Sequence, residues 1–327
     1  KINFGEIIMI VITGACGFIG SRILAGLYEA GCNERVVLVD HLSDENVKKI
    51  SKFPIYDFLT PSQFINKSKI LTADASCVLH QGAITSTTYP DISKIMDLNY
   101  HYTKMLVSSC ILNKTKIVCA SSAAVYGHGL EGFKEKIECE SPLNVYGFTK
   151  LLTDNWIRQN DFFSNYEVFS LRYFNVYGMG EDHKGDMSSP ILKFFKNART
   201  HEKQIKIFEG SDNFFRDFVA VEDVVKVNLQ CAFDDITPGI YNVGSGKKIS
   251  FANVAKITKD HFSDKSLTIC ETKFPENLKG RYQASTHANL VNLRAAGYKE
   301  KMTDPEVGIK KYLLDLETAE KNENSFY

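Results

Sequence analysis

The stretch MIVITGACGFIG, residues 9–20, decides the fold. Its first five residues predict a short buried strand, and the run from Phe18 to Glu29 predicts a helix. Between them lies a T-G-x-x-G-x-x-G motif, in the strand–loop–helix context that a dinucleotide-binding loop requires. In such a loop Gly14 allows a tight turn, Gly17 lets the backbone approach a pyrophosphate, and Gly20 lets the helix pack closely on the sheet. The start of the helix then offers unpaired N–H groups to the phosphates.

A second apolar run, residues 35–40, ends in Asp40, twenty residues after Gly20. A carboxylate at this place can bind the hydroxyls of the adenosine ribose, and it would repel a 2′-phosphate there. His41 and Lys48 follow closely and could pair with such a phosphate. On physical grounds both NAD and NADP therefore remain open.

Strands and helices alternate through the first half of the chain. Further strands are predicted at 77–80 and 116–120, with a long helix from Asp91 to Leu112 between them. This alternation predicts βαβ units and hence an α/β fold with a Rossmann-like doubly wound parallel sheet.

Beyond residue 177 the pattern becomes irregular, which indicates a smaller, discontinuous C-terminal lobe. In this part helices are predicted at 191–198, 251–262 and 305–319, and short strands at 205–208, 218–221 and 240–243. The predicted division is 9–177 and 217–246 for a dinucleotide-binding domain, 178–216 and 247–319 for a substrate-binding lobe, and 1–8 and 320–327 for flexible termini.

The composition excludes several classes of protein. The chain has 327 residues and is 44% hydrophobic, with 39 basic and 39 acidic residues. A net charge of zero gives no support for binding to nucleic acid or to an anionic membrane, and no apolar run approaches the ~20 residues of a membrane span. The eight cysteines form no C-x-x-C pair, so we predict neither a metal site nor a disulfide framework, but reduced thiols in a cytoplasmic protein.

Residues of a proton-transfer site follow in the middle of the chain. Tyr146 and Lys150 form a Y-x-x-x-K pair, and positions i and i+4 share one face of a helix. A nearby ammonium favours the phenolate and so lowers the pKa of a tyrosine, which is otherwise near ~10. Ser121 and Ser122 end a predicted strand, where a hydroxyl can hold a substrate oxygen.

The ordered set of glycine loop, strand-end serines and Y-x-x-x-K is similar to the extended short-chain dehydrogenase/reductase family. The run RYFNVYG at 172–178 and the Asn144-Val145 pair resemble its nucleotide-sugar branch. Within that branch the likeness covers the chain from Met9 to about Leu316 and is to the ADP-heptose 6-epimerases. The stretches that carry it are HKGDM at 183–187, FEGSDNFFRDFV at 208–219, KGRYQA at 279–284 and NLRAAGY at 292–298.

This resemblance implies an isomerase that inverts C6 of ADP-D-glycero-β-D-manno-heptose, for the heptose of the lipopolysaccharide inner core. A tightly held nicotinamide takes hydride from C6 and returns it to the other face of the ketone. The implied cofactor is one NADP, or NAD, per subunit, and the implied assembly is a homo-oligomer, often a pentamer. No nucleic-acid or membrane partner is implied.

The resemblance also implies roles for individual residues. Two acid/base groups, Tyr146 and Lys184, are assisted by Lys150 and Ser122. The cofactor residues are Gly14, Gly17, Phe18, Ile19, Gly20, Asp40, His41, Lys48, Gln81, Gly82, Ala83, Asn99, Tyr146, Lys150, Val176 and Lys184. The substrate residues are Ser122, Asn175, Asp186, Lys193, Phe208, Glu209, Gly210, Ser211, Arg216 and Tyr282.

Without the resemblance some of these residues have simpler interpretations. Lys184 would be a solvated loop lysine unless partial burial brings its pKa toward neutrality. Arg216 suits phosphate oxygens through its planar fork, but it could instead pair with Asp217 or Glu222. One residue departs from the resemblance: Asp186 stands where members of the family are expected to have a serine, and a carboxylate there repels an anionic ligand unless Lys184 or Arg216 neutralises it.

Two alternatives remain open. The first is another nucleotide-sugar enzyme of the same fold, a 4-epimerase or a dehydratase. A dehydratase usually needs a carboxylate pair beside the strand-end serine, and Ala123-Ala124 supplies none. The second is a non-catalytic NAD(P)-binding regulator, which would have no chemical need for Tyr146, Lys150 and the serines.

Overall fold

The computed structural model describes residues 8–87, 89–274 and 283–324. The strands are β1 (Met9–Thr13), β2 (Arg35–Val39), β3 (Asp57–Leu59), β4 (Cys77–His80), β5 (Lys116–Ser122), β6 (Val168–Tyr173), β7 (Asn175–Tyr177), β8 (Gln204–Phe208), β9 (Phe215–Arg216), β10 (Phe218–Ala220), β11 (Gly239–Val243), β12 (Ile249–Ser250) and β13 (Thr268–Thr272). The helices are α1 (Phe18–Glu29), α2 (Asp44–Ile50), α3 (Pro61–Asp74), α4 (Ile92–Ile95), α5 (Tyr102–Asn113), α6 (Val145–Gln159), α7 (Phe162–Asn165), α8 (Pro190–Ala198), α9 (Val221–Phe233), α10 (Phe251–Phe262), α11 (Val291–Ala295) and α12 (Pro305–Asn324).

Seven strands form one parallel sheet in the order β11-β6-β5-β4-β1-β2-β3. Every residue of β1, β4 and β6 is buried, because helices cover both faces of a parallel sheet. One face packs Leu24 of α1 and Val224 of α9, and the other packs Phe64 of α3 and Leu106 of α5. The predicted doubly wound sheet is confirmed. The strand order reverses between β1 and β4, and ligands of such sheets bind outside the carboxyl ends at that point.

The long helix predicted from Asp91 to Leu112 is interrupted. A π-helical turn, Met96–His101, separates α4 from α5. Such a turn inserts one extra residue and often marks a functional site. It turns Asn99 inward, where the side-chain amide bonds the backbone N–H and C=O of Ile84 at 2.8 and 2.9 Å.

The smaller lobe has its own apolar core, built from α8, α10, α12 and β8. Short pairings surround this core: β8 with β13 in parallel, and β9 with β12 antiparallel. Helix α12 runs past its predicted end at residue 319, and Lys321 and Arg199 pair there with Glu317 and Glu320. The exact boundaries of the two predicted domains remain a prediction. In the described part of the chain no helix has the length and apolar character to cross a membrane.

Candidate active site

A cleft of about 820 Å³ opens at the carboxyl edge of the sheet, beside the point where the strand order reverses. Its volume lies in the range of small-molecule and cofactor sites, ~300–1,000 Å³. The predicted residues that line it are Gly14, Gly17, Phe18, Ile19, Gly20, Asp40, His41, Gln81, Gly82, Ala83, Ser122, Tyr146, Lys150, Asn175, Val176 and Lys184. The fold therefore brings residues from distant parts of the chain into one cleft.

The glycine loop forms one wall, and two of its glycines are required by packing. Gly14 has φ +66°, and a Cβ there would come within 2.6 Å of the backbone N of Gly82. A Cβ on Gly20 would lie 2.1 Å from the carbonyl oxygen of Gly14. Gly17 is different, because it precedes α1 with ordinary extended backbone and no side chain caps the helix N-terminus. The free N–H groups and the open space above Gly17 fit the pyrophosphate of a dinucleotide.

Asp40 lies at the end of the loop, as its position after β2 predicted. One carboxylate oxygen accepts a hydrogen bond from Cys16 N at 2.8 Å and the other from His41 N at 2.7 Å. Two backbone bonds thus hold the carboxylate against the loop. Lys48 is exposed on α2 and does not line the cleft, whereas Pro61 and His41 do.

The side chains of two further predicted cofactor residues make hydrogen bonds within the protein. The amide of Gln81 bonds the hydroxyl of Tyr173, which also lines the cleft, at 3.0 Å and Asn228 at 3.1 Å. Asn99 is buried and does not line the cleft, but its side chain hydrogen-bonds the backbone of Ile84, which does. Both side chains fix the position of the loop after β4, a role that sequence reasoning missed.

Tyr146 and Lys150 lie on the first turns of α6, which begins at a cap where Asn144 accepts from Gly147 N at 2.9 Å. The ammonium of Lys150 donates to the carbonyl of Ala120 at 2.7 Å, and burial lowers the pKa of Lys150 to about 8. The lowered pKa expected for Tyr146 from the nearby ammonium is not found: burial raises its pKa, and a hydrogen bond with Ser122 opposes that rise. The tyrosine, the lysine and the strand-end serine are therefore within one small region, as a proton-transfer site requires.

A buried polar network lies directly beneath α6. Asp154, four residues after Lys150, accepts from Ser170 Oγ at 2.5 Å, from Ser121 Oγ at 3.1 Å and from Arg172 Nε at 2.9 Å. Arg172 is fully buried and also pairs with Glu140 at 2.5 Å. These bonds fix the helix that carries Tyr146 and Lys150 against β5 and β6. The i, i+4 spacing from Lys150 was the only sequence signal for Asp154.

The segment that carries Lys184 closes the cleft from the other lobe. It includes a 3₁₀ turn, Asp182–Met187, in which Gly185 takes φ +51°. Lys184 is half-buried, and its Nζ lies 5.4 Å from the centre of the Phe18 ring. Burial lowers the pKa of this lysine. The partial burial that an acid/base role demands is therefore present.

The predicted substrate residues are more scattered. Asn175 lines the cleft and accepts from Thr286 Oγ1 at 3.3 Å. Among the described residues, seven of the predicted substrate residues do not line the cleft: Asp186, Lys193, Phe208, Glu209, Gly210, Ser211 and Arg216. Tyr282 lies outside the described residues.

Arg216 and Lys193 illustrate why these residues were hard to place. The buried Arg216 guanidinium donates to the Phe215 carbonyl at 2.8 Å and lies 5.4 Å from the Phe251 ring centre. Lys193 is exposed, and its ammonium donates to the backbone carbonyl of Asp186 at 2.6 Å.

Comparisons with known proteins agree with this geometry. The model of the NAD dependent epimerase/dehydratase family matches residues 10–244. An ADP-L-glycero-D-manno-heptose-6-epimerase of Brachyspira hyodysenteriae is 40% identical over 95% of this chain and 98% of its own. The crystal structure of the Helicobacter pylori ADP-L-glycero-D-manno-heptose-6-epimerase superimposes with a TM-score of 0.83 at 28% identity, covering 95% of this chain and 97% of that one.

A UDP-N-acetylglucosamine 4-epimerase from Methanobrevibacter ruminantium shares the fold, with a TM-score of 0.82, 21% identity and coverage of 96% and 100%. The resemblance predicted from the motifs is confirmed. Because the family model spans the glycine loop, Tyr146 and Lys150, and the heptose epimerase relative aligns over nearly its full length, the chain belongs to the NAD dependent epimerase/dehydratase family.

Proposed function

We propose that this protein is an isomerase that converts ADP-D-glycero-β-D-manno-heptose to its L-glycero epimer at C6. The observation that carries the proposal is the convergence of Tyr146 and Lys184 on one cleft beside the glycine loop. An inversion at a carbinol carbon moves the oxygen from one side to the other, so two proton-transfer groups are useful. The 40% identical relative, named as a heptose epimerase, supports the choice of sugar.

The proposed cofactor is NADP or NAD, one per subunit and tightly bound, and it supplies the reversible oxidation of C6 when bound. The backbone N–H groups at the start of α1, after Gly17, would bind the pyrophosphate, and Asp40 and His41 would bind the adenosine ribose. The carboxylate disfavours a 2′-phosphate and the imidazole can pair with one. Calorimetric titration with NAD and NADP in parallel decides between the two forms.

Side chains of the protein then carry out the proton transfers. Ser122 holds the C6 oxygen and hydrogen-bonds the phenol of Tyr146, and Lys150 binds the nicotinamide ribose. Tyr146 moves the proton of the oxygen in one position, and Lys184 moves it in the other. The lowered pKa of Lys184 suits this task, since a useful acid/base titrates near the working pH.

The outer part of the substrate is assigned to the remaining predicted substrate residues, of which Asn175 lines the cleft. We assign the diphosphate to Arg216 and Lys193 and the rest of the nucleotide sugar to Asn175, Asp186, Tyr282 and the 208–211 turn. Guanidinium and ammonium groups pair well with phosphate oxygens, which supports the first two assignments. We also propose a cytoplasmic homo-oligomer, a pentamer by resemblance.

The test is incubation of the purified protein with ADP-D-glycero-β-D-manno-heptose, followed by proton NMR at C6. Conversion to the L-glycero epimer is the expected result. An unchanged heptose with turnover of a UDP-hexose would assign the protein to the 4-epimerases. Bound dinucleotide with no turnover of either sugar would favour a regulator.

A further inference from the structure

Glu181 is a fully buried carboxylate at the base of the segment that carries Lys184. Its Oε2 accepts from the backbone N of Ser189 at 2.5 Å. Its Oε1 accepts from Ser189 Oγ at 2.7 Å and from Gly178 N at 3.3 Å. One side chain therefore joins the two ends of segment 178–189, and both ends are anchored in regular structure.

The anchors are the end of β7 and the start of α8. Gly178 directly follows β7, and Ser189 is the N-cap of α8, where its Oγ accepts from Leu192 N at 3.3 Å. Within the segment the backbone N of Lys184 donates to the carbonyl of Glu181 at 3.0 Å. Movement of the carboxylate would thus release the whole segment.

The closed segment holds Lys184 over the cofactor side of the cleft. Its ammonium lies 5.4 Å from the ring centre of Phe18, the first residue of α1. Gly180 lies against the same ring, since a Cβ there would be 3.8 Å from Phe18 Cδ2. The segment therefore crosses the glycine-loop helix in contact with it.

We propose that Glu181 is a positioning residue, whose carboxylate holds segment 178–189 closed so that the ammonium of Lys184 stays in the cleft. The inference rests on the proposed function, because it takes Lys184 to be a proton-transfer group of that reaction. A charge buried away from water is costly unless it is well hydrogen-bonded. The three hydrogen bonds to Glu181 meet that requirement, and its carboxylate stands three residues before the half-buried Lys184.

The charge of Glu181 also acts on Lys184 through space. It favours the ammonium form and so raises the pKa of Lys184, against the effects of burial and of Lys193, which lower it. Tyr146 and Lys150 line the same cleft from α6, His183 and Asp186 flank Lys184 in the segment, and Tyr312 of α12 faces Glu181. Removal of the carboxylate charge should therefore move the titration of Lys184 to lower pH.

The test compares Glu181→Gln with Asp182→Asn. Asp182 is the next residue and is exposed. Within the described chain its one ion pair is with Lys196, at 3.9 Å. The first readout is independent of activity: acetylation of Lys184 across pH, quantified by peptide mass spectrometry. We expect the labelling midpoint to fall in Glu181→Gln and to stay unchanged in Asp182→Asn.

The second readout is turnover of the heptose substrate. Because misplacement by about 1 Å costs up to ~100-fold, we expect kcat to fall about 10- to 100-fold in Glu181→Gln, with little change in KM. Ser189→Ala keeps the charge of Glu181 and removes the hydrogen bond from Ser189 Oγ to Glu181, together with the cap on Leu192 N, so kcat should fall while the labelling midpoint stays. Ser189→Ala also decides the matter if Glu181→Gln fails to fold.

The outcomes separate the two proposals. Wild-type kcat or an unshifted labelling midpoint in Glu181→Gln overturns the positioning role of Glu181; if that variant does not fold, wild-type kcat in Ser189→Ala overturns it. If the wild-type protein does not epimerise the heptose, the proposed function falls, and the labelling profile still tests whether Glu181 controls Lys184.

Discussion

Gly20→Ala should reduce the stability of the protein, whereas Gly17→Ala should reduce its affinity for dinucleotide, although both glycines belong to one loop. The new Cβ at Gly20 would lie 2.1 Å from the carbonyl oxygen of Gly14 and 2.8 Å from its carbonyl carbon. Ordinary carbon contacts begin near ~3.5 Å, and a backbone carbonyl cannot rotate away as a side chain can. Overpacking costs about 1–3 kcal/mol in general, so we expect Gly20→Ala to lose at least that much unfolding free energy.

At Gly17 the surroundings are more open. A Cβ there meets Gly14 O at 3.2 Å, and φ is −71°, which suits any L-residue. The small strain is offset by the loss of freedom in the unfolded chain, about 0.4–1 kcal/mol for glycine to alanine. The stability of Gly17→Ala should therefore stay within about 0.5 kcal/mol of wild type. The methyl group would nevertheless enter the space proposed for the pyrophosphate, and we expect at least a tenfold weaker Kd, about 1.4 kcal/mol.

The assay uses cofactor-free protein. Urea unfolding is followed by the fluorescence of Trp156, the single tryptophan, which packs against Phe162 at 5.2 Å between ring centres. Dinucleotide affinity is measured by calorimetric titration. Wild-type affinity in Gly17→Ala, or wild-type stability in Gly20→Ala, would refute this account of the loop.

Three further variants test the chemistry and the support of the site. Tyr146→Phe should lower kcat by about 10²–10⁴ while the calorimetric affinity for dinucleotide stays unchanged; retained turnover would remove the phenol from the mechanism. Lys150→Met removes a buried charge. The fall in the pKa of Lys150 from 10.5 to about 8 means that burying this charge costs the wild type roughly 3 kcal/mol of unfolding free energy. The variant is spared that cost but loses the hydrogen bond to the Ala120 carbonyl, which contributes about 1 kcal/mol. The inactive variant should thus be roughly 2 kcal/mol more stable in urea below pH 8, an advantage that disappears toward pH 10.5 as the wild-type lysine loses its proton in both states. Asp154→Asn leaves the buried Arg172 short of negative charge and should cost about 3–5 kcal/mol of unfolding free energy, whereas the exposed control Asp161→Asn should cost little.

The sheet was predictable because local pattern and tertiary role coincide in its strands. Runs buried on both faces are continuously apolar, so β1 and β4 match their predicted bounds, and α1 does too. The short edge strand β3 was not predicted, since three partly exposed residues carry no such pattern. Helix α3 is weakly amphipathic and was also missed, although Thr60 and Gln63 form a capping box at its start.

The site was predictable where a motif fixes both residue type and spacing. The glycine loop, Tyr146 and Lys150 all line the cleft for this reason. The supporting groups could not be inferred, because their partners come from distant parts of the chain. Glu181 looks like an ordinary loop residue until Gly178 and Ser189 are brought together around it.

The most direct test of the mechanism is to run the epimerisation in D2O and to analyse C6 of the product by mass spectrometry and NMR. A cofactor held in a closed cleft returns to C6 the same hydrogen that left it. The account therefore predicts an inverted product that carries protium at C6. Deuterium at that carbon would contradict it, because the hydrogen would then have exchanged with solvent.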